Sequence, residues 1–264
     1  METASQQTER YKTEQAINAD YSNTGYDRGH LNPNFYQCGE GRTATFTLTN
    51  AVPQDPCFNR QSWKEMEEVA SETMRKYCSF PSARRYFVTG IVQQRIRIPN
   101  TEHDREEDVT HEDFNRVTVT SYLWTAVCCD ASSTTSPQNG FSFAYIGKNT
   151  ADSFVDILKV SELQARLTSL ELKEDRYEAA KIFVDDCNEN TAKSETARNE
   201  VVAPVNLRMA NAANVIRRME QSTIPPKKRK VFHEVLDLIQ SGISASGYSL
   251  TSDKENMFNN QTLP

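Results

Sequence analysis

The feature that most constrains the fold is a pair of strand-like segments, "RVTVTSYLWTAVCC" (116–129) and "GFSFAYIG" (140–147), separated by the Ser/Thr/Pro-rich turn "DASSTTSPQN". Both are rich in β-branched and aromatic residues and bounded by turn formers, which predicts an antiparallel hairpin. "RRYFVTGIV" (84–92) reads as another strand. "TATFTLTN" (43–50), which alternates Thr with Ala, Phe and Leu, has the period of a half-buried one.

Helical signals surround these strands. In "CFNRQSWKEMEEVASETMRKYC" (57–78), Trp63, Met66, Ala70, Met74 and Tyr77 recur at three- or four-residue steps and define one apolar face. Asn59 stands at its N-terminal edge and is placed to cap it. Further helices are predicted over 161–170, 174–186, "VNLRMANAANVIRRMEQ" (205–221) and "VFHEVLDLIQSGI" (231–243). The first 25 residues are polar and read as a loose arm or weak helix. Residues 188–200 read as a polar linker, 99–113 as a charged surface loop carrying His103 and His111, and the last 20 residues as a frayed tail.

A chain of 264 residues accommodates one large domain or two modest ones. Its net charge of −6 argues against a generally basic nucleic-acid-binding surface, although a local site is compatible with it. The most basic stretch is Arg217, Arg218 and "PPKKRKV" (225–231), whose run of lysines resembles a nuclear import signal and equally suits the start of a helix after two prolines. There is no apolar run long enough to span a membrane, and residues 1–20 lack the apolar core of a signal peptide. The six cysteines Cys38, Cys57, Cys78, Cys128, Cys129 and Cys187 contain no CxxC pair, which disfavours a cysteine zinc site. Cys38 and Cys57 flank "TATFTLTN" and are spaced either to close a disulfide across it or to remain as reduced, buried thiols; oxidation implies an extracellular or lumenal compartment. The sequon at Asn260 matters only for a secreted chain.

The chemistry concentrates in "YDRGHLNPN" (26–34). Hydrolysis of a phosphodiester needs an activated water, a cation on the phosphoryl oxygens and a proton for the leaving oxygen. The imidazole of His30 suits the first task near neutral pH. Arg28 presents a fork matching a pair of phosphate oxygens, while Asp27 reads as a group that orders the motif or pairs with an arginine. Magnesium keeps several waters and needs few protein ligands, so one amide oxygen, that of Asn59, suffices as anchor. Glu67 lies 67 − 59 = 8 residues on, or about 12 Å of helical rise, a distance at which it reaches the metal only through a water.

"YDRGHLNPN" followed by "TFTLTNAVPQDPCFNRQSWKEMEE" resembles the two linked motifs of the DNA/RNA non-specific endonucleases of the ββα-metal class, with similarity extending from about residue 15 to about residue 188. The resemblance implies an α+β, ββα-metal endonuclease fold with a central antiparallel sheet flanked by helices, spanning 26–188, between a polar arm at 1–25 and a linker with helical extension at 189–264. It implies His30 as general base, Arg28 on phosphate or supporting the site, Asp27 and Gly29 as structural parts of the motif, Asn59 on Mg2+ (or Mn2+), and Glu67 on a metal-bound water. It further implies cleavage of both DNA and RNA through backbone contacts, which carry no sequence information. Only 26 residues precede Asp27, fewer than the family places there, so the chain reads as short at its N-terminus. The complete protein is expected to be secreted or lumenal, with nuclear or cytoplasmic residence as the alternative. The competing reading is an inactive, nuclease-like interaction protein.

Overall fold

The computed structural model describes residues 15–100, 114–171 and 181–204. Pro204 apart, these lie in one compact unit, Met1–Ala203. The predicted helices at 205–221 and 231–243, the basic run at 225–231, His103, His111, Asn260 and most of the segment at 174–186 lie outside the described residues.

Among the described residues, six strands form two antiparallel sheets. A short ribbon joins β1 (Asp27–His30) to β2 (Ala51–Gln54), and a four-stranded sheet has the order β3 (Arg84–Ile98), β4 (Val117–Asp130), β5 (Phe141–Lys148), β6 (Val155–Leu158). The β4/β5 hairpin forms where the turn residues predict it, with Ala126 opposite Ala144.

Strand β5 is buried on both faces, and its alternation assigns each face a layer. Tyr145 meets the Trp63 ring at 5.2 Å, and a side chain in place of Gly147 would overlap the Phe58 ring, so that face belongs to the helix beginning at Pro56. Ala144 and Ile146, with Ala126, pack instead on Val160 and Leu163 of α3 (Val160–Glu171). The result is a helix, sheet, helix sandwich, an α+β arrangement.

Helix α2 opens as Pro56–Phe58, passes through a π turn at Asn59–Trp63 and runs regularly over Lys64–Tyr77. Its fully buried Trp63, Met66, Ala70 and Met74 form the apolar stripe predicted by periodicity. The cap is Asp55, not Asn59: its carboxylate accepts from the backbone N–H groups of Cys57 (2.9 Å) and Phe58 (3.0 Å), and Pro56 fills the first helical position.

Several expectations are corrected. Residues 43–50 form no strand. They end α1 (Gly39–Ala44) and make a 3-10 turn, Leu48–Asn50, because Asn50 bonds the Thr45 carbonyl and, across 18 residues, that of Asn32. Residues 15–25 are not a loose arm: Asp20 is fully buried, caps the Ile17 N–H at 2.8 Å and pairs with Arg116 at 2.8 Å. The polar stretch at 188–200 is no linker. Helix α4 occupies 192–204 and buries Ser194, Ala197 and Val201, with the Ser142 N–H donating to Ser194 Oγ. The last part of the helix predicted over 174–186 is instead a 3-10 turn, Val184–Cys187, in which Asp185 and Asp186 adopt left-handed backbone.

The cysteines pair as Cys78–Cys129 and Cys128–Cys187, while Cys38 and Cys57 are free and exposed, neither bridged nor buried. Cys128 and Cys129 are neighbours on β4 and so point to opposite faces; one staples the end of α2 to the sheet, the other the segment leading into α4.

Candidate active site

The ribbon lays the "DRGH" motif along one strand, with Asp27 opposite Gln54 and His30 opposite Ala51. Strand alternation then sorts the motif, putting Arg28 and His30 on one pleat face and Asp27 and Gly29 on the other.

On the Asp27 face, one carboxylate ties strand to helix. Asp27 Oδ2 accepts from Asn59 Nδ2 at 2.9 Å and from Arg60 Nε at 2.8 Å, and Oδ1 accepts from Arg60 Nη2 at 2.6 Å. Burial alone would raise the Asp27 pKa, but the hydrogen bonds from Arg60 and Asn59, with the charges of Arg60 and Arg28, hold it below the ordinary carboxylate value. Asn59, the first residue of the π turn, thus has its amide nitrogen engaged by the Asp27 carboxylate. Gly29 is required by close approach: any Cβ there would overlap the Gln54 amide, which is itself fully buried with no hydrogen-bond partner among protein atoms.

On the opposite face, His30 is half-buried and meets the Phe46 ring edge-on at 5.4 Å. Burial lowers its pKa from the ordinary 6.5, so the ring is neutral at physiological pH. Arg28 is exposed, lies over the Tyr21 ring at 5.5 Å and gives one N–H to the Asn18 carbonyl at 3.3 Å. A guanidinium has five N–H groups, so most remain for a ligand.

Glu67 lies further along α2. Its residue is 8% exposed. Burial pushes its carboxyl well above the ordinary range; Trp63 draws it back, although the indole Nε1 makes no bond of hydrogen-bonding geometry, and Glu68 adds to the rise. Its backbone carbonyl accepts from the Tyr36 hydroxyl at 3.3 Å, and that hydroxyl also meets Tyr145 Oη at 3.1 Å.

Sequence reasoning missed three supporting residues. Arg60 is 33 positions from Asp27, too far for spacing to suggest the pair. Asn149, after β5, holds the ribbon to the sheet by donating to the carbonyls of Pro53 and Thr120 and accepting from the Asp55 N–H at 2.7 Å. Gln54 had one available signal, its place two residues before the Pro at the helix start.

Among the described residues, no cluster of three or more His, Cys, Asp or Glu side chains could hold a metal. The Asn59 oxygen fits a hard cation that keeps most of its waters.

A ribbon of two antiparallel strands feeds a helix that starts beside the motif, the ββα order of elements expected from the sequence. The DNA/RNA non-specific endonuclease family model matches residues 4–191, and the chain belongs to that family. It is 27% identical to human endonuclease domain-containing 1 protein over 156 residues, 59% of this chain and 27% of the relative. It is 30% identical over 121 residues to human mitochondrial endonuclease G, 44% of this chain and 38% of that protein. It therefore spans well under half the length of each of these curated relatives. Among solved structures, a chain of the EndoG/EndoGI complex matches over 52% of both chains at 20% identity and a TM-score of 0.38. No described helix is long and apolar enough to cross a membrane.

Proposed function

We propose that this chain is a hydrolase, a metal-dependent endonuclease that cuts DNA and RNA without regard to sequence. The observation that carries the reading is the Asp27 tie, which joins the start of α2 to the strand bearing Arg28 and His30. The likeness to endonuclease G and to endonuclease domain-containing 1 protein supports it.

In this reading the neutral His30 imidazole accepts a proton from the attacking water. Arg28, on the same pleat face, contacts the phosphate with the N–H groups not used on Asn18. Asn59 holds the cation through its amide oxygen, and Asp27 fixes which way that amide turns. Mg2+, or Mn2+ in its place, supplies positive charge to the phosphoryl oxygens. Glu67, further along α2 and buried beside Trp63, would hold a metal-bound water through its carboxylate. Gly29 lets the strand lie against Gln54. The nuclease domain includes α4, whose buried residues seat it on the sheet. The two disulfides favour a secreted or lumenal protein.

The test is digestion of supercoiled plasmid and of a structured RNA by the purified chain, with Mg2+ or with EDTA, beside His30→Ala. Cleavage of both substrates that needs metal and His30 is the expected result. A folded chain that leaves both intact under every condition overturns the reading in favour of a non-catalytic interaction protein.

A further inference from the structure

Residues 43–50 form no strand, and their turn brings the Phe46 ring edge-on to the His30 imidazole, with centroids 5.4 Å apart and planes at 86°. Phe46 is 60% exposed. A lone exposed apolar side chain is ordinary, and what singles this one out is where its contact falls.

The His30 ring has little else to hold it. A general base is ordinarily oriented by a third group bonded to its second nitrogen. Among the described residues, no protein group hydrogen-bonds either nitrogen of His30, and burial is the one cause of its lowered pKa. Charge does not steer it either. Residues 43–50 carry no charged side chain, and Arg28, on the same pleat face, turns its head over Tyr21.

The turn that presents Phe46 is fixed on both sides. The Phe46 N–H donates to the Thr43 carbonyl at 3.2 Å, and the carbonyl of the buried Thr45 accepts from Asn50 Nδ2 at 2.9 Å. Asn50 also grips the chain just past His30. Its side chain donates to the Asn32 carbonyl at 2.9 Å and accepts from the Asn32 N–H at 2.9 Å, while its own carbonyl accepts from the Leu31 N–H at 3.0 Å. One residue therefore couples the turn bearing the phenyl ring to the strand bearing the imidazole.

We propose that Phe46 is a positioning residue for the reaction: its ring fixes the orientation of the His30 imidazole and shields one side of it from water, in place of a hydrogen-bonded partner. The proposal rests on the nuclease reading, and the first of its two measurements is independent of cleavage.

The full chain is compared with Phe46→Ala, Phe46→Leu and Phe46→Tyr. His30 is titrated without metal through its Cε1–H NMR signal, assigned by its absence from His30→Gln. Phe46→Ala rehydrates the imidazole and is expected to raise its pKa toward 6.5, while Phe46→Tyr leaves it in place. Plasmid cleavage is then followed over a range of substrate concentrations. Phe46→Ala is expected to lower kcat about tenfold, near the upper end of what an edge-on ring pair contributes, with KM changed by less than about twofold. The acid limb of its kcat profile moves upward with the pKa. Phe46→Leu, which keeps apolar bulk without the flat ring, is expected to lose kcat nearly as far with a smaller pKa change, and Phe46→Tyr to keep most of the rate.

Either an unchanged pKa or an unchanged kcat in Phe46→Ala overturns the proposal. So does a rise in KM alone, which makes the ring a substrate contact, and so does an equal loss in Phe46→Tyr, which places the effect in the backbone of the turn. A parent chain that leaves plasmid intact removes the nuclease reading, and the titration still decides: a raised pKa in Phe46→Ala keeps Phe46 as the seat of His30, and an unchanged one removes it.

Discussion

The ribbon and the four-stranded sheet are built on opposite principles. The ribbon has strands of four residues, and polar side chains anchor it: Asp27 to Asn59 and Arg60, Asn50 to Asn32 and Thr45, Asn149 to Pro53 and Asp55. The sheet has strands of up to 15 residues, with fully buried Leu123, Val127, Phe141, Phe143 and Tyr145, and two disulfides. On the proposed function, a surface that offers Arg28 and His30 to a polyanion cannot bury them in an apolar core, and here hydrogen bonds hold it in shape while the sheet supplies the buried apolar packing.

That division can be broken or sharpened by experiment. The largest effect is expected from His30→Ala, a loss of cleavage rate of about 10²–10⁴ with an unchanged thermal midpoint; a midpoint that falls with the activity breaks the division. Cys128→Ser/Cys187→Ser is expected to cost about 2–5 kcal/mol of stability, read by urea unfolding, while cleavage by the molecules still folded persists. Asn149→Ala, which strips partners from the Pro53 and Thr120 carbonyls and the Asp55 N–H, is expected to cost about 1–3 kcal/mol. Its hydrogen exchange should quicken in residues 51–55 before it does in β5, and uniform quickening would mean that ribbon and sheet open together.

Smaller effects follow from charge. Because burial lowers the His30 pKa, the acid limb of the pH–rate profile is expected to have its midpoint below 6.5; a midpoint above that value removes His30 as the buried base. The same shift makes the folded state resist protonation, so the His30 contribution to stability is intact above 6.5 and declines as pH falls below it. Asp27 has a depressed pKa, so its contribution is present above the ordinary carboxylate value and is lost only as pH falls through the lower folded value. Arg60→Gln, at a largely exposed head, is the mildest change: the Asp27 titration seen by carbon NMR moves upward and the thermal midpoint barely changes.

Strands β3, β4 and β5 were legible because they carry their own periodicity, and α2 because its stripe of Trp63, Met66, Ala70 and Met74 repeats without interruption, whereas the four residues of β6 were too few to be read as a strand. Residues 43–50 misled because alternation is a local signal, whereas their conformation is set by Asn50 reaching back to Asn32. Asp55 was the better cap, and Pro56 beside it was the local cue. Helix α4 was hidden because only Ser194, Ala197 and Val201 turn inward, a stripe too thin to stand out in a polar sequence. At the site, the motif residues could be read, but not their allocation to two pleat faces or the Arg60 pair, both of which depend on the register of β1 on β2.

The adjacent cysteines on β4 have a consequence for assembly. Exchanging their partners, so that Cys128 took Cys78 and Cys129 took Cys187, would require each sulfur to emerge on the other side of the strand. That amounts to sliding β4 by one residue, which would turn Leu123, Thr125 and Val127 away from α2 together. The two bonds are therefore tied to the register of β4: a strand slipped by one residue presents each sulfur to the face of the other's partner.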